Sequence, residues 1–392
     1  MRWRRFRGGP GAGGGGRASQ VSEEDLVSFS VARSEAVAEL MAGGEGRLRG
    51  THLFNGPIAL EPEFLPFLLD DEAWERLHAQ PHRDVPLAFV RLLVPVTQKV
   101  APEPFAALLH ALGALAHPLA LEVVGTGEAI TFQIVCASGE EGAVQEALRL
   151  AFPLSESLRA TDGQGDALYL SLASLPASPA YRVIDLGLSR PTYEPLPLSS
   201  SWAPDPLLPL VGVLGSLVAG EVAGLQLLIA PARASWGEEL AKLVALWRDW
   251  GDKDEPDARS RNTAGQEMEK ALRHKIASPL WVMAPRVFAA TGGSDTRSGN
   301  GHALNLCQRL VASLPGASGL LALDDEGYAM RDHLLDVLAR RSRRTGAIVS
   351  AQELGALWHP PTESLLHPRL LRTLPPALPA ELQELPGIVL VV

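Results

Sequence analysis

Cysteine is nearly absent from this 392-residue chain, which has two, Cys136 and Cys307. They stand far apart with no CxxC and no Cys/His spacing, which argues against a disulfide framework and a zinc site; both read as buried thiols in a reducing cytosol. Also missing is the GxxxxGK[ST] signature, in which backbone amides and a lysine meet nucleotide phosphates together, and there is no GxSxG nucleophile elbow. The glycine run over residues 8–16 is followed by no Gly-Lys-Ser/Thr, so it is no phosphate cradle. No cofactor and no metal is therefore expected. Positive charge is in deficit: 35 Lys and Arg against 45 Asp and Glu give a net charge of −10, which argues against a protein whose whole surface wraps nucleic acid. The opening "MRWRRFRGG" has no apolar stretch behind it, so a secretory signal peptide is not expected. One stretch, "LLPLVGVLGSLVAGEVAGLQLLIA" (207–230), is long enough to suggest a membrane span. Glu221 near its middle, Pro209 and four glycines count against that; a buried helix turning at Gly220 into a buried strand fits better.

The length allows two or more domains, each with its own core. Residues 1–20 form an Arg/Gly-rich tail, whose Arg2, Arg4, Arg5 and Arg7 read as solvated, and 21–80 a helical lead-in. From Leu87 the pattern is regular. "LAFVRLLVPV" alternates like a strand; "EPFAALLHALGAL" sets Phe105, Leu108, Leu109 and Leu112 on one helical face. "LALEVVG" and "AITFQIVCA" make a hairpin about Gly125-Thr126-Gly127, "EEGAVQEALRLAF" a second helix and "SESLRAT" a last strand. That order, β-α-β-β-α-β over 81–162, is the ferredoxin-like split arrangement.

A similar order returns over 163–330. Strands are expected at "ALYLSLASL", "YRVIDLGLS", "AGLQLLIAP", "LWVMAPRVFAA" and "GLLAL", and helices at 207–220, 235–250, "EMEKALRHKI" and "GHALNLCQRLVASL", with a polar insertion near 251–265. "GGSDTRSGNG" (292–301) reads as a flexible connection. Residues 331–392 supply a helix and a Pro-rich connector. The fold class is thus α+β: two ferredoxin-like α/β sandwich units, the second with an insertion, plus a C-terminal helical connector.

Two charged clusters bear on chemistry. Asp324, Asp325 and Glu326, with Asp332 and His333 nearby, offer crowded carboxylates that favour Mg²⁺ or a shared proton. Adjacent positions point in different directions, so a solvated turn before a helix is the stronger reading; a hydrolase using Asp324, Asp325 and His333 is the weaker one. The sharpest basic cluster is Arg340, Arg341, Arg343 and Arg344, which follows "DHLLDVL". These arginines suit a helix C-terminus, and they are equally the candidates for contact with a nucleic-acid phosphate backbone or an acidic partner.

"VSAQELGALWHPPTE" (349–363) combines a cap at Ser350, a capping-box Glu353 and a helix stopped by Pro360 and Pro361. Leu357, Trp358, His359 and Pro360 are the candidate connector anchor. This segment resembles the ELA-x-LWH-x-P stretch of the non-ATPase N-terminal region of conjugative, type IV secretion-like DNA-transfer ATPases of the HerA/FtsK superfamily. "FAALLHALGALAHPLALEVVGTGEAITFQIVCAS", "LRLAFPLSES", "LQLLIAPARASW" and "MEKALRHKIASPLWVMAPRVFA" resemble successive parts of the same region, so the likeness spans about residues 50–380. In that family a Pro-rich connector like "RTLPPALPAELQELPG" leads into a RecA-type motor; this chain ends at "PGIVLVV". The resemblance implies a non-catalytic assembly module of a DNA-transfer apparatus. It would be cytoplasmic or peripheral at the inner membrane, and partnered by a HerA-like motor ATPase or a missing C-terminal half. DNA and further copies of itself are additional expected partners. A standalone scaffold unrelated to secretion is the alternative.

Overall fold

Alternating inward residues make Leu87–Leu93 a strand, β1, with Ala88, Val90 and Leu92 buried on one face. The computed structural model to which this strand belongs describes residues 86–373, apart from 161–165, 174, 176–178, 190–194, 197–201, 233–269, 293–295, 324–329, 341 and 343–346. The expected tail 1–20, lead-in 21–80, helix 235–250, insertion 251–265 and connector beyond 373 lie outside the described residues.

Helix α1 (Pro102–Leu112) opens on a proline whose missing N–H costs no helical bond there, and its buried stripe is the expected Phe105, Leu108, Leu109 and Leu112. Strands β2 (Leu119–Thr126) and β3 (Ile130–Ala137) form the hairpin. Its turn lies slightly later than expected: the Thr126 hydroxyl accepts from the amides of Glu128 and Ala129, and the Thr126 amide donates to the Ala129 carbonyl. Helix α2 (Glu141–Ala151) and strand β4 (Glu156–Ala160) complete a half whose antiparallel strands run in the order β4-β1-β3-β2.

The second half repeats that order. Strand β5 (Ala180–Leu188) leads through α4 (Leu208–Gly215) to β6 (Glu221–Pro231); β7 (Leu280–Thr291), α5 (Thr296–Ser313) and β8 (Leu320–Ala322) follow, with strands ordered β6-β7-β5-β8. Between α4 and β6 the chain turns at Gly220, whose φ of 83° falls in the left-handed region, as the sequence suggested. No helix among the described residues is long and apolar enough to cross a membrane.

The halves join by their second strands. Leu119–Thr126 pairs antiparallel with Val222–Ile229, joining eight strands in one path, and β9 (Ala347–Ser350), paired along the start of β7, completes a nine-stranded sheet. At this seam Gly224 allows the close approach, since a Cβ there would collide with the Val123 carbonyl and the Phe288 ring.

Two expectations need correction, and one strand was unanticipated. "ALYLSLASL" is not a strand: Ala167–Ala173 is helix α3. It has no β-branched residue, and Asp166 accepts the Leu168 amide at 3.0 Å, capping the helix. The flexible connection foreseen at 292–301 is helical from Thr296, where α5 begins. Strand β9 was not foreseen; its four residues are too few to show a period.

One sheet face carries the main core, packed under α1, α2, α4, α5 and α7 (Ala351–Leu357). On the other, helices α3 and α6 (Met330–Leu338) lie over an apolar stripe of Val124, Val183, Val222 and Phe288.

Candidate functional site

Two constellations of buried polar groups meet in the centre of the molecule. The first is the connector. Ser350 and Glu353 form the expected capping box: the Glu353 amide donates to Ser350 Oγ at 3.2 Å, and the Ser350 amide donates to Glu353 Oε2 at 2.6 Å. The other carboxylate oxygen of Glu353 accepts from the Leu196 amide at 2.7 Å and lies 3.4 Å from the buried Lys275 ammonium. Burial pulls the Lys275 pKa down, and Glu353 opposes that fall.

Leu357, Trp358, His359, Pro360 and Pro361 are all buried. The Trp358 ring sits between Phe105 and Phe132, with centroids 6.2 and 6.1 Å away, and its Nε1 donates to the Glu122 carbonyl at 3.1 Å. His359 stacks on Trp202 at 4.0 Å; its Nδ1 lies 2.8 Å from the Gly355 carbonyl oxygen and its Nε2 3.3 Å from Asp205 Oδ2. Asp205 also accepts from the Thr362 hydroxyl at 2.5 Å and the Leu207 amide at 2.8 Å.

Beyond the prolines the chain remains fastened. Arg369 donates to the Leu217 carbonyl, residues 369–371 bridge to Ile130, and Arg372 donates to the carbonyls of Val94, Thr362 and Leu365. This strap touches both halves of the sheet.

Burial alone would raise the Asp205 carboxyl, but His359, Thr362 and the Leu207 amide together outweigh it and hold the group below its ordinary range. A depressed carboxylate contributes stability that is complete above its unfolded pKa, about 4, and is lost as pH falls through the folded value. Asp205→Asn should therefore flatten the acid limb of the stability curve. Thermal melts from neutral to acid pH test this, and an acid limb identical to that of the parent chain would refute it.

The second constellation is a polar row across the opposite sheet face. Cross-strand partners share a face, and the register places Arg91, Gln133, Glu122, Gln226, Arg286 and Asp185 side by side on six adjacent strands. Glu122 is fully buried and accepts from Gln133 Nε2 at 2.5 Å and from Gln226 Nε2. Gln226 in turn accepts from Arg286 Nε at 2.6 Å. Burial pushes the Arg286 guanidinium down to about 10, against the opposing charges of Asp185, Asp336 and Glu122.

Arg340 closes this network. Its guanidinium forks onto both oxygens of Asp166, at 2.6 Å each, and meets both oxygens of Glu122 at 2.9 and 3.1 Å, over the Phe89 ring. Burial works against its charge, but Glu122 and Asp166 more than offset that and hold its pKa above the ordinary arginine range. The residue itself takes φ 53°, in the left-handed region.

The basic cluster thus changes meaning at its first member. With 4% of its side chain exposed, Arg340 is a buried ionic clamp and not a phosphate contact. Arg341, Arg343 and Arg344 lie outside the described residues, as do Asp324, Asp325 and Glu326, and the side chain of Asp332 is not described either. His333, within α6, is buried, with its Nε2 3.0 Å from Asp185 Oδ2. Among the described residues no group of three His, Cys, Asp or Glu side chains is placed to hold a metal ion.

Sequence reasoning missed Glu122, Gln133, Asp166, Gln226 and Arg286. The signal available was a single polar residue inside otherwise apolar strands, as in "LALEVV", "ITFQIV" and "LQLLIA", because a buried polar group requires a partner.

The two thiols are buried as expected. Burial, with Glu141 and Glu140 adding to it, pushes Cys136 up to about 12; burial pushes Cys307 up to about 12 against Arg182. Labelling of the native chain by a thiol reagent at pH 8 should be on the order of a thousand-fold slower than that of a free thiol. Stoichiometric reaction within minutes would contradict this.

No protein-family model matches this chain, and no curated protein matches its sequence.

Proposed function

We propose that the chain is a non-catalytic assembly module of a type IV secretion-like DNA-transfer apparatus, built from two ferredoxin-like units joined through their second strands. It acts in the cytoplasm, peripherally at the inner membrane, and its partner is a HerA-like motor ATPase. The observation that carries this reading is the burial of Leu357–Pro361. These residues, which resemble the LWH-x-P stretch of that family, form the centre of the strap. A motor coupled to the strap would be tied to both halves of the sheet, because Trp358 bonds to β2 of the first half and His359 to Asp205 of the second. The role is positional, and ATP turnover belongs to the partner.

The purified chain should hydrolyse no ATP, and it should co-purify with a HerA-like ATPase from the same source. Turnover that tracks the chain through every column and is altered by its own mutations would overturn the non-catalytic role. Failure to retain any such motor would favour a standalone scaffold. Arg341, Arg343 and Arg344 remain the DNA contact of this proposal, without Arg340. Their replacement should weaken a salt-dependent affinity for DNA; an affinity indifferent to salt or to those changes would remove the contact.

A further inference from the structure

We propose that the free edge of β4, together with the adjoining face of α2, is the seat of a two-fold contact between copies of this chain. Among the described residues β4 is the outermost strand and pairs only with β1. Such an edge presents unpaired N–H and C=O groups and invites another strand. It has no proline and no lysine to discourage this, and its two charged residues, Glu156 and Arg159, are of opposite sign. Three large apolar residues stand exposed on the strand and just before it: Leu158 on the strand is 48% exposed, Leu154 in the preceding turn 40% and Leu150 at the end of α2 69%. A groove of about 390 Å³ runs between α2 and the strand, lined by Gln145, Glu146, Arg149, Ser155 and Ser157.

Geometry and charge select a second copy as the occupant. Antiparallel pairing of β4 with its twin about a two-fold axis at Leu158 brings the two Leu158 side chains together on one face. On the other face α2 packs over β1, so the two α2 helices run antiparallel, separated by three strand spacings, about 14 Å. That span suits one long acidic and one long basic side chain. The level along the strand also agrees. The midpoint of Glu146 and Arg149 lies about 5 Å back from the end of α2 at helical rise, and Leu158 about 7 Å in from the start of β4 at strand rise. Glu146 of each copy therefore faces Arg149 of the other. Within one copy these two already pair in the open, with N–O distances of 3.0 and 2.7 Å, so the contact turns two exposed pairs into a four-membered network.

The contact is isologous and closes at two copies. It stands independently of the proposed function, since it uses neither the strap nor a motor. Light scattering on the full chain should show the mass doubling between low and high micromolar concentration. Arg149→Glu should weaken association at least ten-fold, and Glu146→Arg combined with Arg149→Glu should restore it, since the swap preserves both cross-pairs. Circular dichroism on each variant checks folding, and both substituted positions, Glu146 and Arg149, are exposed. A chain that stays monomeric throughout, assemblies larger than two, or association indifferent to Arg149→Glu would each overturn the proposal. So would β4 amides protected from hydrogen exchange in the monomer, which would assign the edge to this chain's own residues.

Discussion

Replacing Arg340 by alanine should destabilise the fold by about 3–5 kcal/mol, the range found when one partner of a buried ion pair is removed. The change strands Glu122 and Asp166, both buried, without the guanidinium that satisfies four carboxylate oxygens at once. The magnitude discriminates between the two readings of this residue, because an arginine on a solvated face costs less than about 0.5 kcal/mol to remove. Denaturant unfolding measures it; a loss below 1 kcal/mol would return Arg340 to the surface. Arg340→Lys keeps the charge but cannot fork onto two carboxylates, and should recover only part of the loss. Arg340→Gly separates the backbone from the side chain: it loses the same ion pairs yet relieves the left-handed φ, so it should be about 1 kcal/mol less damaging than alanine.

Trp358→Ala comes next in size, at about 3–5 kcal/mol for truncating a fully buried aromatic side chain. The residue is 0% exposed, packs on Phe105 and Phe132, and supplies the donor to the Glu122 carbonyl. Trp358→Phe keeps most of the volume and removes the donor, so the part due to the unsatisfied carbonyl should emerge as about 1–3 kcal/mol. Hydrogen exchange locates the damage: amides of β2 and β6 should open earliest in the alanine variant, because the strap is fastened over the seam between the halves. Unchanged protection there, with a full loss of stability, would mean that Trp358 anchors only its own helix.

The periodic elements were legible because burial acts on single residues at fixed spacing. Phe105, Leu108, Leu109 and Leu112 announced α1, and Ser350 with Glu353 announced the start of α7. The Gly220 turn was legible too, since only a helix and strand joined by a flexible residue accommodate Glu221 next to so much apolar sequence. Three features were hidden. Helix α3 has Leu and Ala spacing that fits either regular structure, and its cap at Asp166 was the clue passed over. Arg340 looked like its three basic neighbours, because no local pattern tells an arginine facing water from one aimed at Glu122, 218 residues earlier. The polar row is likewise a property of register, assembled from one residue on each of six strands, and no window of sequence contains it.

That row also decides how the two halves can meet. Strands β2 and β6 are apolar nearly throughout, so greasy contact alone would tolerate several even offsets between them. Moving β6 by two residues relative to β2 would bring Gly224 or Leu228 opposite Glu122 in place of Gln226, leaving a buried carboxylate short of the donor that Gln226 supplies. The cost of that mismatch falls on every alternative alignment and on none of the native one. Glu122 and Gln226 therefore act as an address: they specify which edges dock and at what offset, information that the surrounding leucines and valines do not hold.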